Sequence, residues 1–431
     1  MVVKRPSYLL FRFVTGATYW SSRRFTAAGA LAISCLVVTG AIGVDTTQSV
    51  AYQAFALLAT MMAVAALSLP FVRARVAVER ELPRVATAGE PFTYRMRVSN
   101  TGAAALDGVS LLEDLADPRP SHEAYNELIG IPTYRKWKRL VAANQFARVP
   151  LQPVPLLPPG ATVEVEIAAQ ALKRGVVHSQ GIVVGHTDPL GLMRSITRLP
   201  RRANFIVLPR RYPLPPFNLP GSRRYQPGGV TLATSVGDSE EFVGLRDYRP
   251  GDPLQRIHWK SFARAARPIV KEYQDEYFER HALVLDTFPA ASDDRMFEEA
   301  ISIAASFAYT IDTRECLLDL MFVGAEAYTY TAGRGQMQAA NLLEVLAGVQ
   351  PCHDKPFSSL GKAVVARRGA LTGCICVMLG WDEERARFFR SLQSHGVAFR
   401  AIAVTRTPVA DPPPWLLTAE PGKVQEALVR L

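Results

Sequence analysis

The chain has 431 residues, too many for one typical domain and enough for two or three with cores of their own. Hydrophobic residues make up 48% and charged residues 20%, which fits globular domains together with membrane-embedded sequence, and five scattered cysteines exclude a secreted-type disulfide framework. The formal net charge of +10 favours an anionic partner, either lipid headgroups or nucleic acid.

Two long uncharged runs lie near the N-terminus. The first covers 20 residues from Phe25 to Val44, and the second covers 27 residues from Thr46 to Val72. A helix rises about 1.5 Å per residue, so about 20 residues cross the hydrocarbon layer of a bilayer. Both runs are apolar on all sides, as lipid requires. Residues 25–72 are therefore predicted to form a two-helix transmembrane hairpin.

The flanking charges predict the orientation of this hairpin. Residues 1–24 carry five basic and no acidic side chains, and more arginines follow the second run, whereas the connection between the runs has no Lys or Arg. Positive charge collects on the cytoplasmic side of a membrane. We therefore expect a multi-pass protein of the plasma (inner) membrane with a basic cytoplasmic N-terminus and both termini in the cytoplasm.

Residues 76–215 carry strand patterns. In EPFTYRMRVSN and ATVEVEIAAQ, apolar and polar residues alternate, which indicates antiparallel strands that cover a core on one side. Turn signals separate the strands. The region is predicted to be an immunoglobulin-like β-sandwich.

A basic and aromatic stretch, YRKWKRL, interrupts the strand pattern of this region around Trp137. Rings and cations together suit a membrane interface, and they also suit nucleic acid. An exposed helix with an ordinary basic face is an equally good interpretation. Because the hairpin would hold this region beside the bilayer, membrane lipid is preferred to nucleic acid as its partner, and no nucleic-acid partner is expected.

Residues 222–276 contain a segment dense in charges of both signs, GLRDYRPGDPLQRIHWKSFARAARPIVKEYQDE. Pro250 and Gly251 predict a turn, Asp252 suits an N-cap before a short helix, and a strand follows from Ile269. The charges are expected to form an ion-pair network that fixes the loop, and a docking surface for a protein partner is the alternative. The binding candidates are Arg246, Asp247, Tyr248, Arg249, Gly251, Asp252, Arg256, Trp259, Lys260 and Arg264.

This charged string closely resembles the signature of the bacterial domain-of-unknown-function family 58. The upstream segments DPLGLMR and VLPRRYPL are similar to that family too. The resemblance implies a membrane-anchored protein whose C-terminal part is similar to a von Willebrand factor type A domain. It also implies a link to MoxR-type AAA+ ATPases and transglutaminase-like membrane proteins, since members are often encoded beside them.

Residues 277–431 alternate strand and helix. HALVLDTF indicates a buried strand, CLLDLMFV and CICVMLG indicate two more, and helical patterns separate them. This order predicts a doubly wound α/β sheet whose ligand site lies at the carboxyl ends of the strands. The fold class is therefore multi-domain: a hairpin, a sandwich and a type A-like α/β domain.

Type A domains carry a D-x-S-x-S metal motif after the first strand, which this chain retains only in part. Asp286 is present, but Phe288 and Ala290 stand at the two serine positions and have no side-chain oxygen. Ser358 and Asp382 lie near the places of the remaining ligands. The motif is degenerate, so no metal and no other cofactor is expected.

The sequence shows no G-x-S-x-G, H-E-x-x-H, Walker or dinucleotide fingerprint, and no enzyme is expected. The preferred function is a membrane-anchored, non-enzymatic adaptor or assembly factor that binds a protein partner, with a MoxR-type ATPase as the candidate and the cell envelope as the setting. The alternative is a divalent-metal-dependent protein-binding receptor with a degenerate type A site.

Overall fold

The computed structural model describes residues 4–42, 49–128, 131–221, 241–252, 254–274, 279–289, 294–311, 316–333 and 339–431. Two compact units make up the chain: Met1–Arg210 with Leu343–Val349, and Arg211–Leu342 with Gln350–Leu431. They are called the first and the second unit.

Three helices begin the first unit: α1 (Lys4–Arg24), α2 (Ala27–Ile42) and α3 (Ser49–Ser68). In the described part of the chain, one helical stretch, Val50–Ser68, is long and apolar enough to cross a membrane, and α2 is a shorter apolar helix. Helices α2 and α3 pack against each other. The prediction of two membrane spans is not confirmed by these lengths and stays a prediction. The basic N-terminus is a helix, which its charges alone did not indicate.

In the described part of Met1–Arg210, ten strands and two helices follow. In chain order they are β1 (Val76–Glu81), β2 (Val85–Thr87), β3 (Pro91–Asn100), β4 (Val109–Leu115), α4 (His122–Leu128), α5 (Tyr134–Ala143), β5 (Ala147–Arg148), β6 (Gln152–Pro153), β7 (Thr162–Ala171), β8 (Gly175–Thr187), β9 (Arg194–Leu199) and β10 (Ala203–Leu208). One sheet has the order β1-β3-β7-β5, and the other has the order β2-β10-β8-β4-β6, with β9 beside β8.

The two sheets share one hydrophobic core. Met96 and Ile167 come from the first sheet, Leu111 and Ile182 come from the second, and all four belong to one buried cluster. Alternate residues of a strand point to the same face, so the period-two pattern of β3 and β7 directs these side chains inward. The predicted β-sandwich is confirmed, and its likeness to immunoglobulin domains stays a prediction.

The sandwich also encloses a charged pair that the sequence did not reveal. Arg80 of β1 forms an ion pair with Glu113 of β4, and both side chains are almost fully buried. The hydroxyl of Tyr94 donates to Glu113 over 3.2 Å. Burial first, and then the Glu113 carboxylate, raises the pKa of Tyr94 well above its usual range. The tyrosine therefore stays a neutral donor to the pair.

A turn of the sandwich between β8 and β9 packs on α2 and α3. The carboxylate of buried Asp188 accepts the backbone N–H groups of Leu190 (2.9 Å) and Met193 (2.5 Å), which fixes the turn. Leu192 and Met193 then form a buried cluster with Ala65 and neighbouring residues of the helices. A Cβ on Gly29 of α2 would overlap the backbone of Leu192, so the helix and the turn touch through their main chains. This contact is called the anchor turn.

The elements of the second unit begin with an antiparallel strand pair. In chain order the remaining elements are β11 (Glu241–Asp247), a 3₁₀ turn (Leu254–Arg256), α6 (Trp259–Ala265), β12 (Ile269–Gln274), β13 (Glu279–Leu285), α7 (Asp294–Thr310), β14 (Cys316–Val323), β15 (Ala327–Ala332), α8 (Ala339–Gly348), α9 (Ser358–Ala366), β16 (Gly373–Leu379), α10 (Glu383–Ser394), β17 (Ala398–Val404), β18 (Leu416–Ala419) and α11 (Val424–Leu428). Strands β11 and β12 pair with each other.

The main sheet of the second unit has the strand order β15-β14-β13-β16-β17-β18. All neighbours are parallel except β15, which is antiparallel to β14. Helices α9 and α10 pack on one face through residues such as Leu360 and Phe389, and α7 packs against β13, β16 and β17. The alternation of strand and helix predicted from the sequence is confirmed as a mixed, largely parallel sheet.

Candidate functional site

The strand order of the second unit changes direction between β13 and β16. After β13 the chain continues to β14 on one side, and after β16 it continues to β17 on the other side. The point between the carboxyl ends of β13 and β16 is therefore a topological switch point, where open α/β sheets bind ligands. A cavity of about 480 Å³ opens there. Its lining includes Pro289, Leu379, Trp381, Asp382, Arg385 and Arg406. This place is called the rim site.

A buried carboxylate forms the floor beside the rim site. Asp286 directly follows β13 and is fully buried. One of its oxygens accepts the backbone N–H of Phe288 over 2.9 Å, and the other accepts the N–H of Leu379 over 2.9 Å. Two parallel strands thus converge on one side chain.

A guanidinium completes the coordination of this carboxylate. Nε of Arg385, near the start of α10, donates to Asp286 over 2.7 Å. Its Nη2 donates to the carbonyl of Phe288 over 2.9 Å, and its Nη1 pairs with Asp382. Only 5% of the Arg385 side chain is exposed. Its cation also lies 5.0 Å from the centre of the Phe357 ring, within the range of a cation–π contact.

The charges of this pair follow from the geometry. Burial raises the pKa of Asp286, and the Arg385 guanidinium and the two backbone N–H groups oppose that rise. Desolvation lowers the pKa of Arg385, but the carboxylates of Asp286 and Asp382 outweigh it, so its pKa is raised. These two shifts favour different charge states of the pair. The charged state is the consistent one, because arginine is not deprotonated in proteins and its fork directly contacts the carboxylate.

The residues of the degenerate metal motif do not fit a divalent cation. Asp286 is the only carboxylate of the motif that lies at the floor. Its oxygens accept hydrogen bonds from Arg385 and from two backbone N–H groups. Asp382 caps α10 by accepting the N–H of Arg385 over 2.9 Å, and it pairs with the same guanidinium. Ser358 is the exposed first residue of α9, and Ala290 lies outside the described residues. The guanidinium of Arg385 is paired with the carboxylate that a metal would need.

The charged motif of the sequence forms a second candidate surface, called the charged hairpin: β11, β12 and the residues that connect them. Arg246 makes a two-pronged pair with Asp252, with N–O distances of 2.7 and 2.8 Å. Asp252 also accepts the backbone N–H of Arg249 over 2.8 Å. These contacts lower the pKa of Asp252 to about 2, with the Arg246 hydrogen bond as the largest cause. The predicted ion pairing is present here.

The local structure of the hairpin differs from the prediction at one point. Asp252 was expected to cap a helix, but its carboxylate is engaged by Arg246, and α6 begins later, at Trp259. A short 3₁₀ turn fills the space between them, and the predicted strand from Ile269 is β12. The bidentate guanidinium contact is stronger than a single cap hydrogen bond, so it determines where the aspartate points.

The predicted binding residues fall into three groups on this hairpin. Arg246 and Asp252 are joined, and Asp247 pairs with Arg267 over 3.1 Å. The side chain of Arg256 lies outside the described residues. The others lie on the strand end, the turn and α6, where they are exposed or half-buried: Tyr248, Arg249, Gly251, Trp259, Lys260 and Arg264. Trp259 is 63% exposed and Leu254 is 67% exposed, so large apolar groups stand among cations in solvent.

The basic aromatic stretch of the first unit does not present its ring to a membrane. Trp137 of α5 is fully buried between Tyr8 of α1 and Tyr125 of α4. Its Nε1 donates to the hydroxyl of Thr15 over 2.9 Å. The idea of a tryptophan at headgroup depth is therefore wrong for Trp137, because the pattern of the stretch could not show that α1 would cover it. The four cations of the stretch are exposed.

Sequence reasoning missed Arg385. The signal was weak but present: an arginine three residues after Asp382, at the start of a helix that follows a buried strand. Its partner Asp286 lies 99 residues away in the chain. Only the parallel pairing of β13 with β16 brings the two together.

The geometry defines the class of protein. Its second unit is a largely parallel α/β domain whose rim holds a buried ion pair, and its first unit combines a β-sandwich with apolar helices. Residues 244–381, from the charged hairpin to the rim site, match the family model described as "Protein of unknown function DUF58". This segment is thus similar to the DUF58 family, in agreement with the resemblance of the charged string to domain-of-unknown-function family 58.

One curated relative is a protein of a bacterium. The chain is 24% identical over 188 residues to "Uncharacterized protein YeaD" of Bacillus subtilis (strain 168). The match covers 43% of this chain and 45% of that protein, so the chain spans less than half of the relative's length.

Among solved structures, the chain is similar to the CARDB domain of a Pyrococcus furiosus protein, with 13% identity over 32% of this chain and 94% of that one, and a TM-score of 0.18. A PapD-like domain of human CEP192 gives 14% identity over 31% and 86%, with a TM-score of 0.18. Alpha-2-macroglobulin of E. coli gives 12% identity over 31% and 6%, with a TM-score of 0.19.

Proposed function

We propose that this protein is a membrane-anchored, non-enzymatic adaptor or assembly factor that docks a protein partner through its charged hairpin. In this proposal α2 and α3 both cross the plasma (inner) membrane, and both termini lie in the cytoplasm. The basic N-terminal segment and the uncharged helices support that orientation, because positive charge collects on the cytoplasmic side.

The observation that carries the docking role is the exposure of Trp259. Trp259 is 63% exposed, and Leu254 of the same hairpin is 67% exposed, so a partner that covers these side chains would remove apolar surface from water. Exposed Lys260 and Arg264 follow on the same short helix. Tryptophan and arginine are the residues most enriched among binding hot spots. The surface therefore suits a partner with an apolar pocket and an acidic rim.

The hairpin is also held ready for binding. Arg246 and Asp252 tie the end of β11 to the turn before α6, and Asp247 is paired with Arg267. A surface whose conformation is fixed before contact loses less entropy when it binds. The predicted ion-pair network and the docking surface, which the sequence left as alternatives, are compatible in this arrangement.

The partner that the family resemblance suggests is a MoxR-type AAA+ ATPase, and the process is one of the cell envelope. The type A-like character of the second unit is part of the same proposal. Both carboxylates of the degenerate motif at its rim site, Asp286 and Asp382, are paired with Arg385, so docking is proposed to be independent of divalent cations.

The test uses the full chain, purified in detergent, and the MoxR-type ATPase of the same organism. Changing Trp259 to Ala removes the exposed ring without touching the ion pairs of the hairpin. A hot-spot truncation costs about 2 kcal/mol or more, so we expect roughly a thirtyfold rise in Kd. Binding is measured by isothermal titration calorimetry or by biolayer interferometry.

Tyr309→Ala is the matched control, because Tyr309 is an aromatic residue of the same unit with 62% exposure, on α7. We expect its Kd to equal that of the natural chain. Equal binding by natural chain, Trp259→Ala and Tyr309→Ala would reject the hairpin as the docking site. Absence of binding by the natural chain would reject this ATPase as the partner.

A further inference from the structure

Helix α1 carries an apolar stripe that faces solvent. Leu9, Phe13 and Trp20 follow one another at intervals of four and seven residues, which places them on one side of a helix. They are 58%, 73% and 54% exposed, and Leu10 beside them is 58% exposed. Such a stripe is far more apolar than the surface of an ordinary soluble helix, so it needs an occupant.

The opposite side of α1 is already in use. Tyr8 and Phe11 pack against Trp137, and Tyr8 also packs against Tyr125. At the end of the helix, Arg23 forms an ion pair with Asp114 over 3.0 Å. The helix is therefore fixed on the sandwich, and its stripe is a permanent part of the surface of the first unit.

Cations border the stripe. Exposed Arg12 stands beside it, and Arg119 reaches the helix at Gly16, where an added Cβ would lie 2.7 Å from its Nη1. Together with Leu9, Phe13 and Trp20, the two arginines line a shallow groove that is otherwise apolar. Arg119 is paired with Asp117, and Arg12 donates to the hydroxyl of Tyr8 and lies close enough to Asp117 to lower the pKa of that carboxyl. Apolar side chains edged by guanidinium groups match the chemistry of anionic phospholipid at a bilayer surface.

The stripe is continuous with the apolar helices. The ring of Trp20 packs on that of Phe25 at 5.8 Å, and Phe25 bridges to Met193 of the anchor turn. Met193 lies in the same buried cluster as Ala65, near the end of α3. The C-terminal end of α1 thus lies close to the end of α3, where the candidate membrane span meets the sandwich.

We propose that α1 is an interfacial helix, which lies in the surface of the bilayer with its stripe among the lipids and its arginines at the phosphates. This inference rests on the membrane anchoring proposed above and adds a second lipid contact to it. The occupant is an anionic lipid surface, not a partner protein. A tryptophan at the end of such a stripe suits the headgroup level.

The test places the full chain in nanodiscs that contain phosphatidylglycerol, with acyl chains that are either plain or brominated. The emission of Trp20 is obtained as the difference between the natural chain and Trp20→Phe. We expect brominated lipid to quench this difference emission and aqueous iodide to leave it largely unchanged. Emission that iodide quenches and bromine does not would overturn the proposal.

Two substitutions on α1 provide the matched comparison. Phe13→Glu puts a charge in the stripe, and Thr18→Glu puts the same charge at an exposed position about half a turn away around the helix. We expect the first to reduce quenching of Trp20 by bromine and the second to leave it unchanged. Equal effects of the two substitutions on quenching would refute the lipid contact. So would discs that hold two copies of the chain in which Trp20 is shielded from both quenchers.

This assay separates its own failure from failure of the wider proposal. If membrane anchoring is wrong, the natural chain does not co-migrate with nanodiscs at all. If only the interfacial helix is wrong, the chain co-migrates and Trp20 stays accessible to iodide. The docking role of the charged hairpin does not enter, because no partner protein is present.

Discussion

Replacing Arg385 by Met tests the central claim about the rim site, that a guanidinium balances the buried carboxylate. Methionine keeps most of the apolar volume of the arginine stem and removes the cation. Asp286 would then be left fully buried with only the N–H groups of Phe288 and Leu379 as donors. The carbonyl of Phe288 would also lose its donor.

Removing one partner of a buried ion pair costs about 3–5 kcal/mol, because the other charge stays buried without compensation. For a unit of roughly 200 residues, 1 kcal/mol shifts the midpoint by about 2–4 °C, so we expect Tm of the second unit to fall by roughly 6–20 °C. The double variant Asp286→Asn with Arg385→Met removes both charges. It should recover part of the loss, since no charge is left unpaired.

Thermal unfolding of the full chain in detergent is followed by near-ultraviolet circular dichroism. Trp381 and Trp415 give a local signal, because their rings pack at 5.7 Å beside the rim. Arg387→Met is the matched control on the same helix, at an exposed position. A midpoint for Arg385→Met within about 2 °C of that control would refute the reasoning, since the pair would then contribute less than about 1 kcal/mol. Rescue of Arg385→Met by Mg²⁺ to the natural midpoint would show that a metal can take its place.

Three further outcomes are expected. Gly29→Ala should destabilise the first unit by about 1–3 kcal/mol in thermal unfolding, because its Cβ would overlap the backbone of the anchor turn. Trp137→Ala should cost about 3–5 kcal/mol and expose α1 to protease, because it empties the site against which the helix packs. The pairing of Asp252 with Arg246 should persist at neutral pH and be lost as pH falls through about 2, measured by carboxyl NMR shifts, whereas the stability that it contributes should decline from about pH 3.8 downwards, because the folded pKa is the lower one.

Each of these has a result that contradicts it. A natural midpoint for Gly29→Ala would mean that the turn does not touch α2. Unchanged proteolysis of α1 in Trp137→Ala would mean that other contacts hold the helix. An Asp252 carboxyl that titrates at the ordinary pKa would mean that the bidentate pair does not form.

Local patterns were sufficient for the elements and for the order of the domains. The alternation around Met96 and Val165 predicted strands whose inner faces meet, because a period of two is visible within ten residues. The buried runs of β13, β14 and β16 likewise predicted a parallel sheet, since both faces of such a strand are covered by helices. The family match from residue 244 to 381 agrees with the string that carried the resemblance.

Contacts between distant segments were beyond the sequence. The pairing of Asp286 with Arg385 depends on the register of β13 with β16, which no local pattern encodes. Trp137 looked like an interfacial ring because its neighbours are basic, and its burial depends on a helix that begins 133 residues earlier, at Lys4. By contrast, the stripe of α1 lies within one helix and repeats at intervals of four and seven residues, although the charges of the segment dominate its composition.

The anchor turn has a consequence for how the protein meets others in the plane of a membrane. A flexible tether lets a domain sample many heights and orientations, so its linker sets the local concentration at each of them. Here the main chain of the sandwich touches that of α2 at Gly29, which is a second connection besides the segment that leads from α3 to β1. In the proposed membrane arrangement, the sandwich is therefore expected to stand at one height with one face towards the lipid. Encounters with laterally diffusing proteins then start from a single presentation, which lowers the orientational entropy lost on association.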